Sequence, residues 1–223
     1  MDWQALKLSL SLGVWTGVIL IPAAVLLGRV LAWRLFPGRS VIQALLALPL
    51  LLPPTVLGFY LLTAFGNHTF IGQTYARLFD ATLVFSFQGL LLASVIFNIP
   101  FAVQPVQRAF EAVPAAIREA AWCSGLSHWL TFWRVELPLA WPGVLSALVL
   151  TFAHTLGEFG VVLMVGGNIP GETRTIAIAI YDRVQSFDSA GAGVMSAVLL
   201  TIAFLSITLI YLLNDALTRR HVQ

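Results

Sequence analysis

The chain is expected to fold as an all-α integral membrane protein with about five transmembrane helices. Composition sets the class: 59% of the 223 residues are hydrophobic and only 10% are charged, whereas about a quarter of an average soluble domain is charged. Length sets the architecture. Apolar stretches reaching the roughly 20 residues that a helix needs to cross the hydrocarbon core occupy residues 8–33, 41–65, 82–104, 140–164 and 190–214. No second soluble domain, low-complexity tract or clear internal repeat accompanies them.

The first stretch has no basic lead-in beyond Lys7 and exceeds the core of a signal peptide, so it reads as a retained helix. Gly13 and Gly17 form a small-xxx-small pair in it, the spacing that lets two helices approach closely. The second stretch carries Pro49, Pro53 and Pro54 near its middle. An interior proline removes a backbone donor and disfavours straight helix by about 3 kcal/mol in water, although neighbouring helices and water repair this in membranes. A kink or break near mid-bilayer is expected there, either as a gate in a pathway or as an ordinary proline kink.

Between residues 105 and 138 a polar, aromatic-rich segment separates two apolar runs. Pro114 suits the first turn of a helix and Gly125 the position just past its end, which predicts a short helix over about 115–124. Ile117, Ala120, Ala121 and Ser124 share one face of it. Ser127 is placed to cap a second short helix carrying Trp129, Phe132 and Trp133. This two-helix elbow is either a partly aromatic plug for a partner's groove or a loop whose rings rest at headgroup level.

In the fourth stretch Thr151, Thr155 and Glu158 fall at i, i+4 and i+7 with His154 flanking them, a polar stripe on an apolar span. Beyond it, GGNIPGETRT is turn-rich, and Ile176, Ile180, Val184 and Phe187 are spaced to line one face of an amphipathic helix. The Ile-Ala alternation there fits a strand almost as well; a short helix near the outer surface is favoured because an open sheet edge has no partners in lipid. The fifth stretch closes the set.

Arginine and lysine set the orientation. With the 105–138 segment inside, Arg29, Arg34, Arg39, Arg108, Arg118, Arg134, Arg219 and Arg220 face the cytoplasm and Lys7, Arg77, Arg174 and Arg183 lie outside, eight against four. The N-terminus is therefore expected outside and the C-terminus in the cytoplasm.

Several chemistries are excluded. Lys7 is the only lysine and sits in no glycine-rich loop, so the chain has no Walker A phosphate-binding loop, and any ATP is hydrolysed by another polypeptide. There is no Gly-x-Ser-x-Gly elbow, His-Glu-x-x-His pair or set of intramembrane carboxylates suited to a proton relay. Cys123 stands alone, and the four histidines have no metal-ligand spacing. No catalytic residue, metal or bound cofactor is expected.

Glu119, Ala120, Ala121, Gly125, Val135, Leu137 and Pro138 fall at the spacing of the EAA motif. In this the chain resembles the permease subunits of binding-protein-dependent ABC importers. The resemblance implies a type I importer fold with one permease domain over 6–214 and 105–138 as its cytoplasmic coupling loop. Glu119, Ala120, Ala121, Gly125, Leu137 and Pro138 would meet the ATPase. It implies a second copy of the chain, two ABC ATPase subunits that use ATP, and an extracytoplasmic binding protein, with the lipid bilayer as surroundings and no nucleic acid. The location is the plasma membrane, the cell inner membrane in a Gram-negative source.

LGEFG followed by GNIPGET in the fourth stretch, and LPLLLPPTVLGFYLL in the second, resemble the corresponding parts of molybdate importer permeases. Molybdate is the implied substrate, carried by a molybdate-binding protein; tungstate or sulfate permeases are the alternative, and a membrane assembly factor without transport the remaining one. Burying an unpaired charge in low dielectric costs tens of kcal/mol by an idealised Born estimate, so a dianion needs a wet, protein-lined path. Pro53, Pro54, Thr151, Thr155 and Glu158 are the candidate pathway residues, the alternative being a stripe buried against another helix. Glu158, a poor ligand for an anion, is assigned to organising the path or to helix packing. Asn168, Pro170, Glu172 and Arg174 are the candidate contacts for the binding protein.

Overall fold

The computed structural model describes residues 1–220. Helix α1, Trp3–Trp33, begins where the Asp2 carboxylate accepts the Ala5 N–H at 3.0 Å, and it runs through Pro22 without ending. It therefore starts five residues before the expected span. Helices α2, Arg39–Leu51, and α3, Pro54–Phe65, form the second span, broken by 110°. Pro54 occupies the first turn of α3, where its missing N–H costs nothing, while Pro53 takes an extended ψ of 137° and ends α2.

A short helix α4, Phe70–Phe79, was not anticipated; Thr69 caps it by accepting the Gly72 N–H at 3.1 Å. Helix α5, Phe87–Glu111, continues past Pro100 and Pro105, so the polar segment that begins at 105 opens as helix through Glu111. Next come α6, Ala115–Cys123, and α7, His128–Thr131, then one π-helical turn, Phe132–Glu136, that feeds directly into α8, Leu137–Gly157. The run from His128 to Gly157 forms a single apolar span.

The fourth span was expected to continue to residue 164, and here the structure differs. Glu158 is extended, with ψ of 131°, and a separate helix α9, Gly160–Gly166, follows. Glu158 Oε1 accepts the Val161 N–H at 2.9 Å, so this side chain starts the new helix instead of extending the old one. Helix α10, Ile176–Gln185, is the short helix favoured over a strand for this connection, and α11, Ser189–Arg220, is the last span. The buried face of α10 is Ile176, Ile178 and Ala179, packed against Ala5 and Leu6 of α1 and Met195 of α11. Val184, still within the helix, is 57% exposed because the buried face runs through Ile178 and Ala179, and Phe187 is 93% exposed because the helix ends at Gln185 and Phe187 turns back with φ of 58°.

Helices α1, α5 and α8 form the centre. Leu20, Ala24, Val103, Val106, Phe110, Ala140, Val144 and Ala147 are buried together there. A Cβ on Gly13 would lie 2.8 Å from the Phe152 ring, and one on Gly17 would lie 2.9 Å from Leu148. The small-residue pair thus permits the α1–α8 approach. On the outside, α11 leaves Leu200, Phe204 and Leu205 between 59% and 71% exposed, an apolar face suited to lipid or to another transmembrane surface.

Candidate coupling elbow and membrane pathway

The elbow is built by local chemistry. Pro114 precedes α6 as its N-cap, with ψ of 134°, one position earlier than expected. Gly125 has φ of +85°; its N–H reaches Trp122 O at 2.9 Å and the Leu126 N–H reaches Ala121 O at 3.1 Å. This pair of bonds is the Schellman ending, which requires the left-handed residue that glycine supplies. Ser127 Oγ then accepts the Leu130 N–H at 3.3 Å and opens α7. Glu119, Ala120 and Pro138 are exposed, Leu137 is half-buried and Ala121 is buried. Trp129 and Trp133, 66% and 51% exposed, stand on the outer side with ring centroids 5.6 Å apart. The elbow therefore presents one acidic group, small side chains and two indoles to whatever docks on it.

What holds the elbow escaped the sequence reading. Glu136, the last residue of the π-helical turn, is fully buried, and its Oε2 accepts from Arg29 Nε at 2.6 Å. Arg118 of α6 approaches Oε1 at 3.4 Å as an ion pair without hydrogen-bond geometry. The Arg118 guanidinium also lies 3.6 Å from the Trp33 ring centroid, and that of Arg29 lies 5.1 Å from Phe132. One carboxylate thus joins the C-terminal end of α1, the first elbow helix and the start of the fourth span. A buried charge is tolerated when it is paired in this way. A signal was available: Glu136 is the single acid in FWRVELPLAW.

The candidate pathway residues divide into two groups. Thr151 and Thr155 are buried within the single chain; Thr155 faces α5, and the Thr151 hydroxyl has no hydrogen-bond partner among the described residues. Thr155 donates to Thr151 O at 2.8 Å and accepts from Asn98 Nδ2 at 2.9 Å. Asn98 Oδ1 in turn takes a hydrogen bond from His154 Nδ1 at 3.0 Å, because the Asn98 amide already donates to Ser94 O at 2.9 Å. His154 stacks on Phe101 with centroids 3.9 Å apart, and Thr16 reaches Ser94 at 2.8 Å. The buried asparagine at the centre of this network was not singled out, although it is the one asparagine in the third span.

Glu158, Pro53 and Pro54 form the second group. A Cβ on Gly160 would lie 2.8 Å from Pro54 Cβ and 3.6 Å from Glu158 Oε1, so the breaks in the second and fourth spans lie against each other. On the connection between α9 and α10, Asn168 donates to Asp182 at 2.8 Å and accepts from Arg174 Nε at 2.6 Å. Arg174 also pairs with Asp182 at 3.7 Å. These two residues hold the loop, while Pro170 and Glu172 stand exposed at its tip. Glu172 lines, with Lys7 and Gln4, an open cavity of about 480 Å³. Among the described residues no three His, Cys, Asp or Glu side chains gather as a metal set.

The comparisons agree with this geometry. The family model described as "Binding-protein-dependent transport system inner membrane component" matches residues 21–222. The molybdenum transport system permease protein ModB of Azotobacter vinelandii is 46% identical over 214 residues, covering 94% of this chain and 93% of that protein. The protein of the same name from Escherichia coli K12 is 35% identical over 207 residues, covering 92% and 90%. Among solved structures, the MetNI methionine ABC transporter superposes with a TM-score of 0.71 at 18% identity, covering 97% of this chain and 94% of that one. A bacterial alginate ABC importer gives 0.70 at 16% identity, covering 97% and 78%. The all-helical architecture is therefore that of a type I ABC importer permease. Because the family match runs through the elbow and both broken spans, the chain belongs to the inner-membrane components of binding-protein-dependent transport systems and is a transport subunit, not an enzyme.

Proposed function

We propose that this chain carries molybdate across the membrane as one of two identical permease subunits, driven by two ABC ATPase subunits and supplied by an extracytoplasmic molybdate-binding protein. The observation that carries the reading is the elbow: an exposed acidic and aromatic projection mounted on a buried ion triad, where a partner's motion is delivered to α1 and α8 together. Glu119, Ala120, Ala121, Gly125, Leu137 and Pro138 are its coupling residues, within a permease domain over 6–214. ATP binding draws the two elbows together and swings the path from inward-open to outward-open. In this reading the N-terminus is outside and the C-terminus cytoplasmic.

The choice of anion rests on the relatives named for molybdenum transport at 35–46% identity. Sulfate is the second reading, since a probable sulfate permease of Chlorella vulgaris is 35% identical over 187 residues. Pro53, Pro54 and Glu158 line the path where the two broken spans meet, Thr151 and Thr155 line it along α8 as the helices part, and Pro170 and Glu172 touch the binding protein from a loop held by Asn168 and Arg174. The test is the ATPase rate of the reconstituted assembly with the binding protein and each anion in turn. Stimulation by molybdate over sulfate is expected; stimulation by sulfate alone would reassign the substrate, and no stimulation by any oxyanion would remove the importer reading.

A further inference from the structure

A cavity of about 310 Å³ opens between the inner end of α1 and the elbow, lined by Arg29, Val30, Trp33, Arg34, Arg118, Trp122 and His128. Three guanidinium charges surround it, and two of them, Arg29 and Arg118, share the one carboxylate of Glu136; three less one leaves a net charge of +2. Arg34 makes no ion pair among the described residues. Arg29 and Arg118 both meet Glu136 through Nε, so the terminal nitrogens of both forks remain for another acceptor. Their side chains are only 29% and 17% exposed, which strengthens attraction to an anion relative to open water.

The surroundings select the kind of anion. Trp33 and Trp122 wall the cavity, as indoles do at the membrane interface. Val30 lines it too, and the same side of α1 continues toward the membrane centre through Leu27 and Leu26, which are 43% and 58% exposed. A cationic pocket leading into an exposed apolar track matches a molecule with a phosphodiester at one end and hydrocarbon at the other. The geometry points to a binding site for an anionic phospholipid headgroup, with the phosphate between Arg34, Arg118 and Arg29 and an acyl chain along Val30, Leu27 and Leu26. A zwitterionic headgroup fits poorly, because its ammonium group enters a field that is already positive. The site couples lipid to the elbow through the two arginines that grip Glu136. It rests on the elbow lying at the inner membrane face, and it is independent of which anion is transported.

The full-length chain, in the assembly in which it leaves the membrane, is purified in detergent with equal amounts of phosphatidylglycerol and phosphatidylcholine, and retained lipid is counted by native mass spectrometry. Preferential retention of phosphatidylglycerol is expected. It falls about fivefold in Arg34→Gln and again in Arg118→Gln, the loss expected for one basic residue near a lipid surface. Arg34→Lys retains most of it, and Arg77→Gln, distant in the fold, leaves it unchanged. Equal retention of the two lipids, or a preference untouched by Arg34→Gln, overturns the site. Displacement of the lipid by inorganic phosphate would assign the cavity to free anions instead. Loss of bound ATPase in Arg34→Gln with no change in lipid would assign it to a protein partner. None of these readouts needs transport, so failure of the importer reading would be seen separately.

Discussion

Two carboxylates bracket the fourth span, and the protein treats them differently. Glu136 at the N-terminal end is wholly buried and held by two arginines, whereas Glu158 at the C-terminal end is half-buried and holds one backbone N–H. The first is a tie between three segments distant in sequence. The second is a helix cap that restarts the chain after a break. A carboxylate satisfied by charges fixes one body against another, while one satisfied by a neighbouring amide fixes only local direction.

Removing the tie should have the largest effect. Glu136→Ala leaves two partly buried guanidiniums facing each other, and breaking a buried pair costs about 3–5 kcal/mol. A collapse in the melting temperature of the detergent-purified chain is expected, with Glu136→Gln intermediate. If Glu136→Ala melts like the parent, the tie is not structural and the contrast with Glu158 disappears.

Next in size is the turn that the tie supports. Gly125 has φ of +85° and a Cβ there would meet nothing within 4 Å, so Gly125→Val acts through backbone strain alone, about 1–3 kcal/mol. We expect normal membrane insertion with loss of uptake and of bound ATPase, followed by copurification and a flux assay. Full uptake would detach the elbow from coupling.

Cysteine labelling sharpens the other end. In a Cys123→Ser background, a small water-soluble reagent should modify Glu158→Cys readily, and Thr151→Cys and Thr155→Cys slowly, since both threonines are buried in the single chain. Trapping nucleotide in the ATPases should raise the reactivity of the threonine positions as the helices part. Three inert positions in every state would remove this stripe from the path and leave the Pro53–Pro54 break as the better candidate.

The smallest effect belongs to the cap itself. Glu158→Gln keeps an oxygen for the Val161 N–H and should change stability by a few tenths of a kcal/mol, whereas Glu158→Ala should cost about 1 kcal/mol. Equal melting temperatures for the two, combined with a transport defect only in Glu158→Gln, would show that the charge acts in the path and not in the fold.

The readings that succeeded concern neighbours in sequence. Pro114, Gly125 and Ser127 lie within a few residues of the groups they direct, so the elbow was legible as a pattern of caps and breakers. Pro53 and Pro54 marked the broken second span for the same reason. The break at Glu158 was missed because its residues read as a continuation of an apolar run; an acid that caps the following helix shows itself only when the chain has turned. On α10 the spacing of Val184 and Phe187 was right for a helix, but the helix stops before the second of them.

By itself, then, the sequence determined the class, the number of spans, the elbow and the family, since hydropathy, proline, glycine and short motifs act over a few residues and their consequences are local. Only the tertiary structure decided what joins them. Arg29 and Glu136 are 107 residues apart and Asn98 and Thr155 are 57 apart, and no periodicity encodes such pairings. They follow from the close approach of α1, α5 and α8 permitted by small residues such as Gly13, Gly17 and Ala147. Once those helices pack, buried polar groups such as Asn98 and Thr155 are satisfied by each other inside the bundle, because the surrounding lipid offers no partners.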